Sequence, residues 1–79
     1  MMCVYFTSMD QNIHYSIPCI NTDKFSEIEE KLYKQYPEYR DTKNYFIFNG
    51  KKITGTKTIG ENNIGSGLPV ILYTPSLNN

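Results

Sequence analysis

The chain has 79 residues, with eight acidic against eight basic for no net charge, and 39% apolar content. That length holds one small domain and no second core. The balanced charge excludes a nonspecific nucleic-acid binder, which needs clustered Lys and Arg to neutralise phosphates; the nearest to a cluster is Lys51-Lys52 with Lys57.

Residues 2–9 (MCVYFTSM) are rich in β-formers and run into the polar turn Asp10-Gln11-Asn12. In the following IHYSIPC, Ile13, Tyr15 and Ile17 alternate with His14 and Ser16, so the two segments predict a hairpin. Pro18 has no ladder donor, which places this second strand at an edge or ends it there. Cys3 and Cys19 are too few for a secreted disulfide framework; one bridge and two free thiols both remain open.

A helix is predicted next. Asn21 or Thr22 can cap it, with Asp23 in its first turn. Phe25, Ile28, Leu32 and Tyr36 form one apolar stripe, and Pro37 ends the helix at Tyr36. Glu27–Lys31 and Glu30–Lys34 are favourable i,i+4 pairs, worth about 0.3–0.5 kcal/mol each. PEYRDTKN is expected to be a loop. YFIFN, a short KIT strand after Gly50-Lys51, a loop from Gly55 to Gly67 with Ile64 tucked under the sheet, and LPVILY complete the order. The expected class is α+β, ββαββ plus a short turn and a final strand, spanning residues 1–74 as one domain, with residues 75–79 a polar tail or the start of a linker.

One helix of this length, roughly 22 Å at ~1.5 Å per residue, covers one face of a sheet. Yet Tyr45-Phe46-Ile47-Phe48 is apolar on both phases. With Phe46 and Phe48 toward the helix, Tyr45 and Ile47 face away; likewise Ile71 and Tyr73 oppose Val70 and Leu72, and Tyr5 opposes Val4 and Phe6, with Met9 near the hairpin tip. A contiguous exposed apolar face of this kind marks an interaction site, unless neighbouring sequence or a second copy covers it.

The run FIFNGKKITGTKTIGENNIGSGLPVIL (46–72) resembles the ubiquitin-like family, whose fold is the β-grasp. Gly50-Lys51 match the family's Gly-Lys turn and Thr58-Ile59 its Thr-Leu pair. Glu61-Asn62-Asn63-Ile64 match its D-Y-N-I turn, with Asn62 in place of the tyrosine. Thr22-Asp23-Lys24-Phe25 with Ile28 and Leu32 match the start and stripe of the helix. The resemblance implies strand order 2-1-5-3-4, with Ile71 and Tyr73 beside both Ile47 and Tyr5. It places Ile47 on the isoleucine at the centre of the family's recognition patch, Ile71 and Tyr73 on the patch histidine and valine, and Met9 near the patch leucine. No Gly-Gly follows the last strand, so conjugation is not implied.

Catalysis has no support in the sequence: His14 is the single histidine, neither cysteine has a base or oxyanion hole in prospect, and no glycine run opens a helix. No cofactor or metal is expected. The start MMCVYFTSM lacks the basic and long apolar regions of a signal peptide, and no run approaches the ~20 residues of a spanning helix. An intracellular protein, cytoplasmic or nuclear, is therefore expected. The function expected from the resemblance is a non-catalytic, monomeric interaction module. Its implied partners are ubiquitin receptors, proteasome or segregase components, or ubiquitin-transfer enzymes. Ile47, Ile71, Tyr73, Met9 and Tyr5 would make the contact, with Lys51, Lys52 and Arg40 at its rim. The alternatives are a structural or assembly role for the same face, and a modifier whose Gly-Gly tail lies outside this chain.

Overall fold

The computed structural model describes residues 2–65 and 67–74. The order is β1 (Met2–Ser8), β2 (His14–Cys19), α1 (Phe25–Gln35), a one-turn 3-10 helix (Pro37–Tyr39), β3 (Tyr45–Phe48), β4 (Lys51–Lys52) and β5 (Val70–Tyr73). The strands form one sheet in the order β2-β1-β5-β3-β4. Only the β1–β5 pair is parallel. This is an α+β fold with one α-helix on a mixed sheet, compatible with a β-grasp-like arrangement, and its strand order is the one the resemblance implies. The expected tail at 75–79 lies outside the described residues.

Alternation puts Val4, Phe6, Ile17, Phe46, Phe48, Val70 and Leu72 under the helix, all buried. From α1, Phe25, Ile28 and Leu32 meet them, as the stripe requires. At the centre, Phe25 and Phe46 rings lie 5.1 Å apart at 67°, with Phe6 at 6.0 and 5.8 Å from them. Ile59 and Ile64 close the core from the loop before β5.

The start of α1 departs from expectation. Its N-cap is Lys24, which offers no side-chain acceptor, and neither Asn21 nor Thr22 caps it. The free N–H groups of the first turn are met by backbone instead: Phe25 N–H donates to the Lys57 carbonyl and Ser26 N–H to that of Gly55, both at 3.0 Å. Glu27 completes the end by accepting from Lys24 N–H at 3.2 Å. Asp23 sits before the helix, where its carboxylate accepts from Ile20 N–H. At the other end, Tyr36 is the C-cap ahead of Pro37, as predicted.

Three further expectations change. PEY is a 3-10 turn rather than loop, begun by Pro37 and anchored by buried Tyr39. The short strand after the turn is Lys51–Lys52, one residue earlier than KIT. The i,i+4 pairs do not close: the one salt bridge among the described residues joins Arg40 to Glu30 at 2.7 Å. β2 is an edge strand, as Pro18 requires, and Cys3 and Cys19 are free thiols, one exposed and one buried. Asn49 and Gly50 both have positive φ (51° and 79°), which makes the β3–β4 connection a two-residue turn that favours this dipeptide.

Candidate functional site

The face of the sheet away from α1 carries the residues on the odd phase of β1, β3 and β5. Register sets its rows. Ile71 lies between Thr7 on β1 and Ile47 on β3, and Ile47 is opposite Lys52 on β4. The next row pairs Tyr73 with Tyr45. Their rings stack at 5.3 Å and 9°, and the Lys52 ammonium lies 5.2 Å from the Tyr45 centroid. A cation over a stacked aromatic pair, beside two isoleucines, makes a continuous apolar strip with one positive end.

Ile47, Ile71, Tyr45 and Tyr73 are half-buried, although no other element among the described residues covers them. Mutual packing accounts for that: each side chain shields its cross-strand neighbour. A partner would therefore meet a flat, pre-packed strip rather than four separate knobs. Ordering such a strip on binding costs little side-chain entropy. No strand position on this face holds a carboxylate.

Met9, at 60% exposure, is the boldest apolar side chain near this strip. Its N–H donates to the Leu72 carbonyl at 3.2 Å, which extends the β1–β5 ladder and sets Met9 beside Tyr73 at the end of the strip. The loop behind it is pinned by Asp10. That carboxylate accepts from the Ser8 hydroxyl, from Asn12 N–H (3.1 Å) and side-chain amide (3.2 Å), and from the Tyr39 hydroxyl at 2.7 Å. The Ser8 hydroxyl, most of all, then Tyr39 and Asn12, hold Asp10 below the usual carboxylate range against the opposing effect of burial. Because the folded value is depressed, Asp10 stabilises the fold above the ordinary aspartate range, and that contribution disappears as pH falls through the folded value. Acid titration of the Met9 and Tyr73 methyl and ring signals is expected to show the tip loosening below pH ~4, and Asp10→Asn is expected to remove that step. An unchanged acid midpoint in Asp10→Asn would refute the role.

Three expected site residues stand outside the strip. Tyr5 is 40% exposed on this face, but register sets Thr7, not Tyr5, opposite Ile71. The Tyr5 hydroxyl is 3.1 Å from His14 Nδ1, so Tyr5 leans to the β2 side and stands apart from Tyr73. Lys51 is opposite Phe48, a core residue, so it falls on the helix phase; Lys52 is the cation of the open face. Arg40 is held on the helix side by Glu30, its guanidinium 5.7 Å from the Tyr33 ring, and makes no rim. Thr7 and the Tyr45 stack were missed as contributors. The odd phase of Tyr45 was visible in the sequence, whereas the place of Thr7 needed the β1–β5 register.

Among the described residues no three His, Cys, Asp or Glu gather at metal-binding distance, and no helix is long and apolar enough to cross a membrane. Comparison with known protein families finds no match, and no curated protein is significantly similar to this chain.

Proposed function

We propose that the domain has the β-grasp fold of the ubiquitin-like family and acts as a non-catalytic interaction module, its open sheet face binding protein partners of the ubiquitin system. The observation that carries this reading is the strip Ile71–Ile47 with Tyr73–Tyr45–Lys52, built from three adjacent strands and covered by no other element among the described residues. Such a surface suits an apolar groove or a helix with an aliphatic stripe and a carboxylate near Lys52. The resemblance over residues 46–72 supplies the partner classes: ubiquitin receptors, proteasome or segregase components, and ubiquitin-transfer enzymes. A strip of this size, at ~25 cal/mol per Å² of apolar area and after the cost of association, supports weak, rapidly exchanging contacts.

Capture from cell extract by immobilised wild type and by folded Ile47→Glu tests the reading. Ile47 is half-buried on the solvent side, so a carboxylate there leaves the core intact while desolvating badly against an apolar partner. Ubiquitin-system proteins are expected with the wild type and absent with the variant. Equal retention by both would sink the proposal. Light scattering separates the assembly alternative: a micromolar dimer dissolved by Ile47→Glu would assign the face to a second copy.

A further inference from the structure

We propose that Asn49-Gly50 is a self-modifying site, where Asn49 deamidates through a cyclic imide to aspartate and isoaspartate and so displaces the cation of the open face. Asn49 is the only asparagine of the chain followed by glycine. Any other residue there would set a Cβ beside the attacking nitrogen. At Gly50 no atom beyond the chain neighbours lies within 4 Å of where that Cβ would stand. Both residues are exposed, and the Gly50 N–H donates to no backbone carbonyl among the described residues. The side chains of Asn12, Asn44 and Asn62 are tied by hydrogen bonds, whereas that of Asn49 makes none among the described residues. Asn63 has the same left-handed backbone (φ 57°) and serves as an internal control. The branched Ile64 follows it, and the Ile64 N–H is held by the Ile59 carbonyl at 3.2 Å.

The reaction needs water and no other reagent. The Gly50 nitrogen attacks Asn49 Cγ, the Cγ–Nδ2 bond breaks, and Nδ2 leaves as ammonia with the proton that Gly50 gave up. Water then opens the imide. Addition at Cγ restores the main chain with aspartate at position 49; addition at the main-chain carbonyl carbon routes the chain through the side chain as isoaspartate. In a two-residue turn with positive φ at both positions, the Gly50 nitrogen points away from the side-chain amide, so the turn opens before the ring closes. What holds it is slight. β4 is two residues at the edge of the sheet, paired as Ile47–Lys52 and Phe48–Lys51, with one further bond from Ile53 N–H to the Phe46 carbonyl. Isoaspartate adds a main-chain methylene to this turn, and turn length sets hairpin register. Lys52 then loses its place opposite Ile47 and its ammonium leaves the Tyr45 ring, now 5.2 Å from the centroid. The chemistry is independent of any partner for that face.

The test incubates the folded chain at mildly alkaline pH and follows it by ion exchange and peptide mapping. Because the chain starts with no net charge, an acidic form with one added negative charge is expected to accumulate. Fragmentation is expected to place the change at Asn49, with both isoaspartate and aspartate present, before any change at Asn63. Asn49→Gly, which keeps a turn of permissive residues, is expected to form no such species. In amide spectra of the purified isoaspartate form, Phe48, Lys51, Lys52 and the Tyr45 ring are expected to shift while β1, β2 and α1 stay in place. Persistence of Asn49 while a short peptide of the same sequence converts fully, earlier deamidation elsewhere, or unmoved Lys52 and Tyr45 signals in the product would each overturn the proposal.

Discussion

Phe6→Ala is expected to bring the domain to the edge of unfolding at room temperature. Phe6 is fully buried on the central strand pair, and its ring contacts both Phe25 and Phe46. Truncation of a buried phenylalanine costs about 3–5 kcal/mol, because the surrounding side chains cannot collapse into the space. A domain this small has about 4–12 kcal/mol in total, at ~0.05–0.15 kcal/mol per residue. Urea unfolding followed by circular dichroism is expected to show the midpoint lowered by about 2 M or more, or no folded baseline at all. A shift below about 0.5 M would mean that the three-ring cluster is not the centre of the core.

Asn44→Ala is expected to be the most damaging polar substitution, at about 2–3 kcal/mol. All four of its hydrogen-bonding sites are engaged. The amide nitrogen donates to the Tyr39 carbonyl at 2.6 Å and to the Tyr33 hydroxyl at 3.1 Å. The amide oxygen accepts from the hydroxyls of Thr42 at 2.6 Å and Thr74 at 2.7 Å. One side chain thereby joins α1, the 3-10 turn, the loop into β3 and the end of β5. Alanine leaves the hydroxyl of Thr74, which is buried, without its Asn44 partner, and leaves the Tyr39 carbonyl with Thr42 alone. Tyr33 keeps only its bond to Glu29 at 2.7 Å, and burial already pushes its phenol well above the ordinary tyrosine range. The check is the urea midpoint, together with faster amide exchange at Tyr73 and Thr74. A loss under about 0.5 kcal/mol, the level of an ordinary surface substitution, would contradict the assignment.

What the sequence made legible divides along physical lines. Strand phase was readable because it has period two: Phe46 against Ile47 and Leu72 against Tyr73 fell on the faces expected, and the unpartnered face could be inferred from the shortage of helix to cover it. The helical stripe and the stop at Pro37 were readable for similar reasons. Features decided by distant chain were not. The first turn of α1 is capped by carbonyls some thirty residues away, at Gly55 and Lys57, so local cap residues misled. Glu30 prefers Arg40, whose guanidinium arrives by way of the 3-10 turn, over the lysine one helical turn on. Lys51 and Lys52 are adjacent in sequence, and only the two-residue turn decides which of them shares a face with Ile47. Tyr33, off the main stripe, is buried because the 3-10 turn and Asn44 close over it.

The open face is the centre of the functional reading, and mapping a partner's footprint tests it most directly. Titrating the labelled domain with a partner captured by the wild type is expected to perturb the amides of Thr7, Met9, Tyr45, Ile47, Lys52, Ile71 and Tyr73, with α1 silent. The same titration of Ile47→Glu is expected to produce no shifts. Perturbation confined to α1 and the 3-10 turn, with the strands unmoved, would contradict recognition through the sheet.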